Sequence, residues 1–312
     1  MSNYIKVASL GPQAYYIDPK IGNTNAIDKM IYHWKEELEK VLHDKPDIIV
    51  LPEACDRPQN FSKEQKIPYY KERKDKILDF FRDIANKNKC YIAYSAAREI
   101  NDGSWRNSTQ IIDRQGNIAG IYNKNHVVIE ENTEDGILYG RDTPIINCDF
   151  GKLACVICFD LNFDELRLKY KALKPDIILF SSLYHGGMMQ SYWAYSCRSH
   201  FIGAVAGLPC SVISPIGETI SNSTNYFNYT ITDINLDCKV IHLDHNWDKL
   251  KNIKIKYGSK VEIKDPGYLG AVLISSKTDE FNINDIIKEF NIEILDAYME
   301  KSLTHKINNT EV

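Results

Sequence analysis

Hydrophobic and polar positions alternate along this chain with two different periods. The opening YIKVASLGP is a short apolar run typical of a buried strand, and residues 25–43 then place Ile27, Ile31, Trp34, Leu38, Val41 and Leu42 at helical spacing. DIIVLPE, residues 47–53, is strand-like again. Residues 70–88 repeat the helical pattern through Ile77, Phe80, Phe81 and Ile84, and CYIAYSAARE returns to strand composition. Strands separated by helices of this length predict βαβ units and an α/β fold, because parallel neighbours need a crossover long enough to hold a helix.

The next stretch, STQIIDRQGNIAGIYNK, holds two short β-type runs around Arg114-Gln115-Gly116-Asn117, which predicts a hairpin and therefore a mixed sheet. From residue 151 the alternation resumes: strand GKLACVIC, helix DELRLKYKAL, strand PDIILFSS, an amphipathic segment around MMQSYWAYSCRSH, and strand FIGAVAG. Further β-type runs, SVISPIGET and FNYTITDIN, follow in residues 211–235 with turn signals at Pro215 and Gly217. No low-complexity linker separates the two halves. The expected organisation is one domain over residues 1–275 and a C-terminal extension over 276–312 with an amphipathic helix around 284–301.

Composition narrows the class of partner. The chain has 312 residues, 44% of them hydrophobic, enough to bury a substantial core. A formal net charge of −4, with lysines scattered along the chain, gives no basic footprint for nucleic acid, so the expected partner is a small molecule. No stretch approaches the roughly 18 apolar residues of a membrane span, and the N-terminus lacks a basic segment followed by an apolar run. The expectation is a cytoplasmic protein without membrane association. Eight cysteines, most of them inside apolar runs, read as reduced thiols acting as small hydrophobes.

Three polar residues at the ends of strands carry the candidate chemistry. Glu53 closes DIIVLPE, at the carboxyl end of a strand, where ligands collect in open α/β folds. Lys124 follows the second strand of the expected hairpin, and His126 lies two residues on, better suited to a structural hydrogen bond than to a base. Cys158 ends the run LACVIC and precedes a polar step into a helix, where a helix N-terminus and a nearby cation would lower a thiol pKa. Cys155 and Cys158 form the chain's one Cys-x-x-Cys. A redox pair of this type opens a helix, whereas i and i+3 on a strand diverge, and a structural zinc site would need two further ligands at finger spacing. A thiol redox or metal-binding role for the pair stands as the alternative.

Taken together, Leu51-Pro52-Glu53, Tyr122-Asn123-Lys124 with His126, and the run from Gly151 to Glu165 around Cys158 resemble the nitrilase (carbon–nitrogen hydrolase) superfamily, from about residue 4 to 275. Gly151-Lys152-Leu153 and Cys158-Phe159-Asp160 are similar to that family's flanking motifs. The resemblance implies an αββα sandwich that pairs into an αββααββα stack in a homodimer or higher homo-oligomer, without cofactor or metal. It also implies a second glutamate near the lysine. Counting back from LYGRDTP assigns Glu134 to that place, with Glu131 in reserve.

In family terms Cys158 is the nucleophile, Glu53 the base, and Lys124 with the backbone N–H of Phe159 the oxyanion donors. Substrates would be small linear amides or N-carbamoyl amines, hydrolysed through a thioester with release of ammonia. Nitrile hydrolysis is the alternative reaction, and an inactive binding module is the alternative class, whose mark would be loss of Glu53, Lys124 or Cys158. Tyr184 and His185, after the strand that follows Cys158, are expected substrate contacts. Leu161-Asn162-Phe163 stand where some N-carbamoyl amino acid hydrolases of the family place arginines.

Overall fold

The computed structural model describes residues 2–310. The chain divides into two compact units, one of residues 6–233 and one joining the N-terminal residues through Ile5 to the segment from Ile234 onward.

The larger unit is built on two six-stranded sheets. β1 (Tyr4–Leu10), β2 (Ile48–Val50) and β3 (Tyr91–Glu99) run parallel, while β3, β4 (Trp105–Ile112) and β5 (Ile118–Asn123) run antiparallel, as the expected hairpin requires. Gly116 takes the positive φ of 83° in that hairpin turn. The crossover helices are α1 (Asn23–Leu42), α2 (Lys63–Arg73) and α3 (Lys76–Asn88). Trp34 of α1 meets Phe81 of α3 edge-on at 5.9 Å, and both belong to a buried cluster with Ala8, Leu10, Ile49 and Ile92 of the sheet.

After a short helix α4 (Ile129–Thr133), the second sheet repeats the plan. It runs β6 (Ile146–Asn147), β7 (Lys152–Ile157), α5 (Asp164–Leu173), β8 (Ile177–Ser182), α6 (Met188–Cys197), β9 (His200–Val205), β10 (Ser211–Ile213) and β11 (Thr219–Asn222). β7, β8 and β9 are parallel, and Leu166, Tyr170 and Trp193 of the helices pack on Ala154, Val156, Ile178 and Phe180. A last strand, β12 (Tyr229–Asn235), joins the first sheet next to β1.

With one face of each sheet covered by helices, strand alternation turns the other two faces together. Ser9 Oγ of β1 donates to Gly203 O of β9 at 2.8 Å, and Ser181 Oγ of β8 donates to Leu51 O beyond β2 at 2.7 Å. These bonds cross from sheet to sheet and define the αββα layering.

The smaller unit holds a three-stranded antiparallel sheet of β13 (Cys238–His242), β14 (Val261–Lys264) and β15 (Ala271–Ser276), with α7 (Trp247–Tyr257), α8 (Ile283–Glu289) and α9 (Leu295–Asn308). The division therefore falls near residue 234 and not at 275. Val272 and Ile274 of β15 share a core with Ile253 of α7 and with Ile283 and Ile286 of α8, so this strand belongs with the helices after it. The helix expected over 284–301 is two helices, interrupted where Asn291 takes a φ of 47°. Among the described residues no helix is long and apolar enough to cross a membrane.

Candidate active site

The first sheet supplies a buried cation held by two carboxylates. Glu53 stands three residues beyond β2 and Lys124 directly after β5, and both are almost fully buried. Lys124 Nζ donates to Glu53 Oε1 at 2.8 Å and to Glu131 Oε2 at 2.6 Å. Asn107 of β4 braces the pair, with Nδ2 donating to Glu53 Oε1 (2.8 Å) and Glu131 Oε1 (3.0 Å), while its carbonyl receives the Lys124 N–H at 2.8 Å. Burial alone would lower the lysine pKa, but the charges of Glu53 and Glu131 outweigh it and hold Lys124 above its usual value. Glu131 responds in kind: burial pushes it up, and the Lys124 charge and hydrogen bonds from Lys124, Val128 N–H and Asn107 bring it below the ordinary carboxylate value.

The second sheet supplies the thiol. Cys158 ends β7 and begins a 3₁₀ turn over Cys158–Asn162, with a φ of 47° in the left-handed region that residues with a side chain seldom occupy. Fully buried Asp160 holds this sharp turn. Its Oδ2 accepts from Ile157 N–H (3.0 Å) and the Tyr122 hydroxyl (2.7 Å), and its Oδ1 accepts from His126 N–H (2.7 Å). One carboxylate thereby joins the cysteine turn to the segment that carries Lys124.

The Cys158 thiol is pushed up to about 12. Burial is the largest cause and the Glu53 charge adds to it, while Lys124, the Leu183 N–H and the Ser182 hydroxyl pull the other way and are outweighed. The sequence predicts a lowered thiol pKa. The structure gives the opposite direction, first because the thiol is buried and then because the Glu53 charge stands beside it, which together outweigh a cation already shared by two carboxylates.

Glu131, and not Glu134, meets Lys124. Glu131 lies in the first turn of α4 and folds back to accept Val128 N–H at 3.0 Å, which aims its carboxylate inward. Glu134 is the exposed residue at the C-terminal end of that helix, about 4.5 Å farther along the axis at 1.5 Å per residue. The LYGRDTP segment reaches the site through its glycine. Gly140 N–H donates to Lys124 O at 2.7 Å, and a Cβ there would stand 2.2 Å from Asn123 O.

Glu53, Lys124, Glu131 and Cys158 all line one cavity of about 520 Å³, with Asn107 and Leu183, and Glu134 lies farther out on its wall. This volume suits a small ligand. The ion pair Lys66–Asp135 (2.5 Å) spans its outer part from α2 to the α4 segment.

Tyr184 and His185 are not among the residues lining that cavity. The Tyr184 ring packs edge-on against Phe180, and His185 Nδ1 accepts from Gly187 N–H in a turn. Phe159 is partly exposed with its ring against Phe163, and its backbone N–H follows directly on the nucleophile candidate. Cys155 is buried within β7 and opposite Leu179, apart from Cys158, and neither of the two is in a disulfide. His126 is structural in its contacts, stacking on Phe163 at 3.8 Å and reaching Asp160 and Glu165.

Sequence reasoning missed Asn107 and the part played by Asp160. Asn107-Ser108-Thr109-Gln110 is a run of four polar residues inside a strand, all buried, and a buried polar run of this kind requires partners.

Comparison with known proteins identifies the family. Residues 6–238 match the carbon-nitrogen hydrolase family. The deaminated glutathione amidase of Dictyostelium discoideum is 25% identical over 191 residues, covering 56% of this chain and 65% of that protein. The NitFhit structure from C. elegans superposes with a TM-score of 0.66 at 16% identity, covering 82% of this chain and 64% of that one. An amidase from Nesterenkonia sp. does so with a TM-score of 0.61 at 15% identity, covering 80% and 96%. The chain thus spans less than two thirds of the length of the first two, and the structural likenesses speak for the nitrilase-superfamily fold. Since the family match takes in most of the chain and every residue from Glu53 to Leu183 that surrounds the thiol, this protein belongs to the carbon–nitrogen hydrolase family.

Proposed function

We propose that the protein hydrolyses the C–N bond of a small linear amide or N-carbamoyl amine through a thioester on Cys158. The observation that carries this reading is the buried Glu53–Lys124–Glu131 arrangement sharing one cavity with a protonated thiol. A thiol held near 12 is neutral at pH 7, so attack requires a base beside it. Glu53, bonded as an acceptor by Lys124 and Asn107, takes the proton as Sγ adds to the carbonyl carbon.

The negative charge that develops on the carbonyl oxygen is stabilised by Lys124 Nζ and the Phe159 backbone N–H, donors that need no reorganisation at the moment of reaction. Collapse of the tetrahedral adduct breaks the C–N bond, and Glu53 returns its proton to the leaving nitrogen, which departs as ammonia. In the second half Glu53 takes a proton from water, the hydroxide adds to the thioester carbon, and the C–S bond breaks to give acid and free thiol. Glu131 keeps Lys124 charged and aimed throughout. The amidase names carried by the Dictyostelium and Nesterenkonia proteins support an amide over a nitrile as substrate.

Intact-mass spectrometry after mixing with a panel of short amides, N-carbamoyl amines and nitriles tests this. The expected result is ammonia release together with a transient adduct of acyl mass on the peptide containing Cys158, absent from Cys158→Ala. Ammonia release that persists in Cys158→Ala, or an adduct on Cys155 instead, overturns the proposal.

A further inference from the structure

A second cavity, of about 420 Å³, lies between α2, the start of α3 and the β3–β4 hairpin. Strand register accounts for part of its lining, Tyr94, Arg98 and Gln110. Tyr94 pairs with Gln110 and Arg98 with Arg106, so all four occupy one face of the hairpin, the face on which Phe81 of α3 meets Tyr94 at 5.2 Å. Tyr70 and Ala97 separate this cavity from that of Cys158, since both residues line each of them.

The polar groups here are left incomplete. Arg98 is half-buried and has no carboxylate within ion-pair distance among the described residues. Its Nη2 makes one long bond to Asn123 Oδ1 (3.3 Å), and its Nε is buried without an acceptor. The residue opposite it is another arginine, although like charges directly across a ladder are destabilising. Arg106 Nη1 is engaged with Ser104 Oγ and Trp105 O and gives Arg98 no relief. Burial, and after it the Arg106 charge, hold the Arg98 pKa below its ordinary value. Gln110 also lines the cavity, is 95% buried at 5% exposure, and its side-chain amide has no hydrogen-bond partner among the described residues.

The remaining charges favour an anion. Arg73 is neutralised by Asp56, and the exposed Lys71 and Lys74 share the lining with the likewise exposed Asp75 and Glu99, which balance them in number. The unbalanced charge inside is therefore that of Arg98. We propose that this cavity is a binding site for a small oxyanion, a phosphate or carboxylate group, received by the Arg98 guanidinium and the Gln110 amide. Such a group brings several acceptor lone pairs to a fork of N–H donors, completing both side chains at once, and charge-assisted bonds of this kind are the stronger ones. The site is independent of the catalytic reading, because none of these donors touches Cys158, Glu53 or Lys124.

Calorimetric titration of the full chain with inorganic phosphate and, separately, with acetate at fixed ionic strength tests it, the two arms distinguishing a phosphorylated from a carboxylate ligand. Saturable binding is expected in one arm, unchanged in Cys158→Ala and weakened by about tenfold or more in Arg98→Gln, a loss of about 1.4 kcal/mol or more. Gln110→Leu is expected to weaken binding too, and serves where Arg98→Gln fails to fold. The inference is overturned if neither anion saturates, or if both substitutions leave affinity within about twofold of the parent, which is under about 0.5 kcal/mol.

Discussion

Two buried ion clusters hang from the same turn, and they differ in what surrounds them. Asp56, three residues after Glu53, is paired with Arg73 and accepts the Tyr94 hydroxyl, while Arg73 also donates to Ala97 O (2.7 Å) and the Tyr69 hydroxyl donates to Asp56 O (2.7 Å). That cluster ties α2 and β3 to the turn. At the other cluster Lys124 and Glu53 are as deeply buried while Glu131 is partly exposed, and these groups share their cavity with a thiol. Burial of opposite charges is thus not itself the mark of a reactive site: the Asp56–Arg73 pair organises the backbone, and the Lys124 cluster shares its cavity with a thiol, a group whose proton can move.

This contrast can be broken by experiment, and the largest effect is expected at the thiol. Cys158→Ala and Cys158→Ser should lower turnover by about 10³-fold or more, as loss of a nucleophile does, while the denaturation midpoint stays near that of the parent. Cys155→Ser should keep most of the activity, and its loss would revive the paired-cysteine alternative. At the other cluster the effect should fall on stability. Arg73→Leu leaves a buried carboxylate unpaired, which costs about 3–5 kcal/mol of unfolding free energy by urea titration, with kcat of the folded fraction little changed. A stable variant with no turnover would place Arg73 in the reaction and erase the distinction drawn here. A smaller effect should separate the two glutamates. Glu131→Gln is expected to lower kcat by about 10²-fold through a less well held lysine, and Glu134→Gln to stay within about twofold. The reverse order would return the second glutamate to position 134.

Much of this site was legible because strand ends announce themselves: Glu53, Lys124 and Cys158 each follow an apolar run, and the motifs around them are specific. The second glutamate was harder, since Glu131 and Glu134 are one helical turn apart and only the fold-back of Glu131 onto Val128 N–H decides between them. The direction of the thiol pKa was illegible for a related reason. Sequence shows that a cation is available, but not that two carboxylates already share it or that the sulfur is buried. In the fold, α2 escaped notice because its residues are mostly polar and Pro68 lies inside it. The boundary near 234 was hidden because β15 reads like any other strand of the larger unit, and its pairing with β13 and β14 is set by tertiary contacts.

Asp160 has a consequence for how such a protein can diversify. By fastening Ile157, Tyr122 and His126 to a single carboxylate, it makes the spacing between the Cys158 thiol and the Lys124 ammonium a property of the scaffold, set away from the rim of the cavity. Part of the outer wall, contributed by residues such as Lys63 and Lys66 of α2, lies on a separate segment that carries none of this fastening. Substitutions on that α2 wall can therefore change the shape and charge of the cavity mouth while leaving the distance between thiol and ammonium as it is.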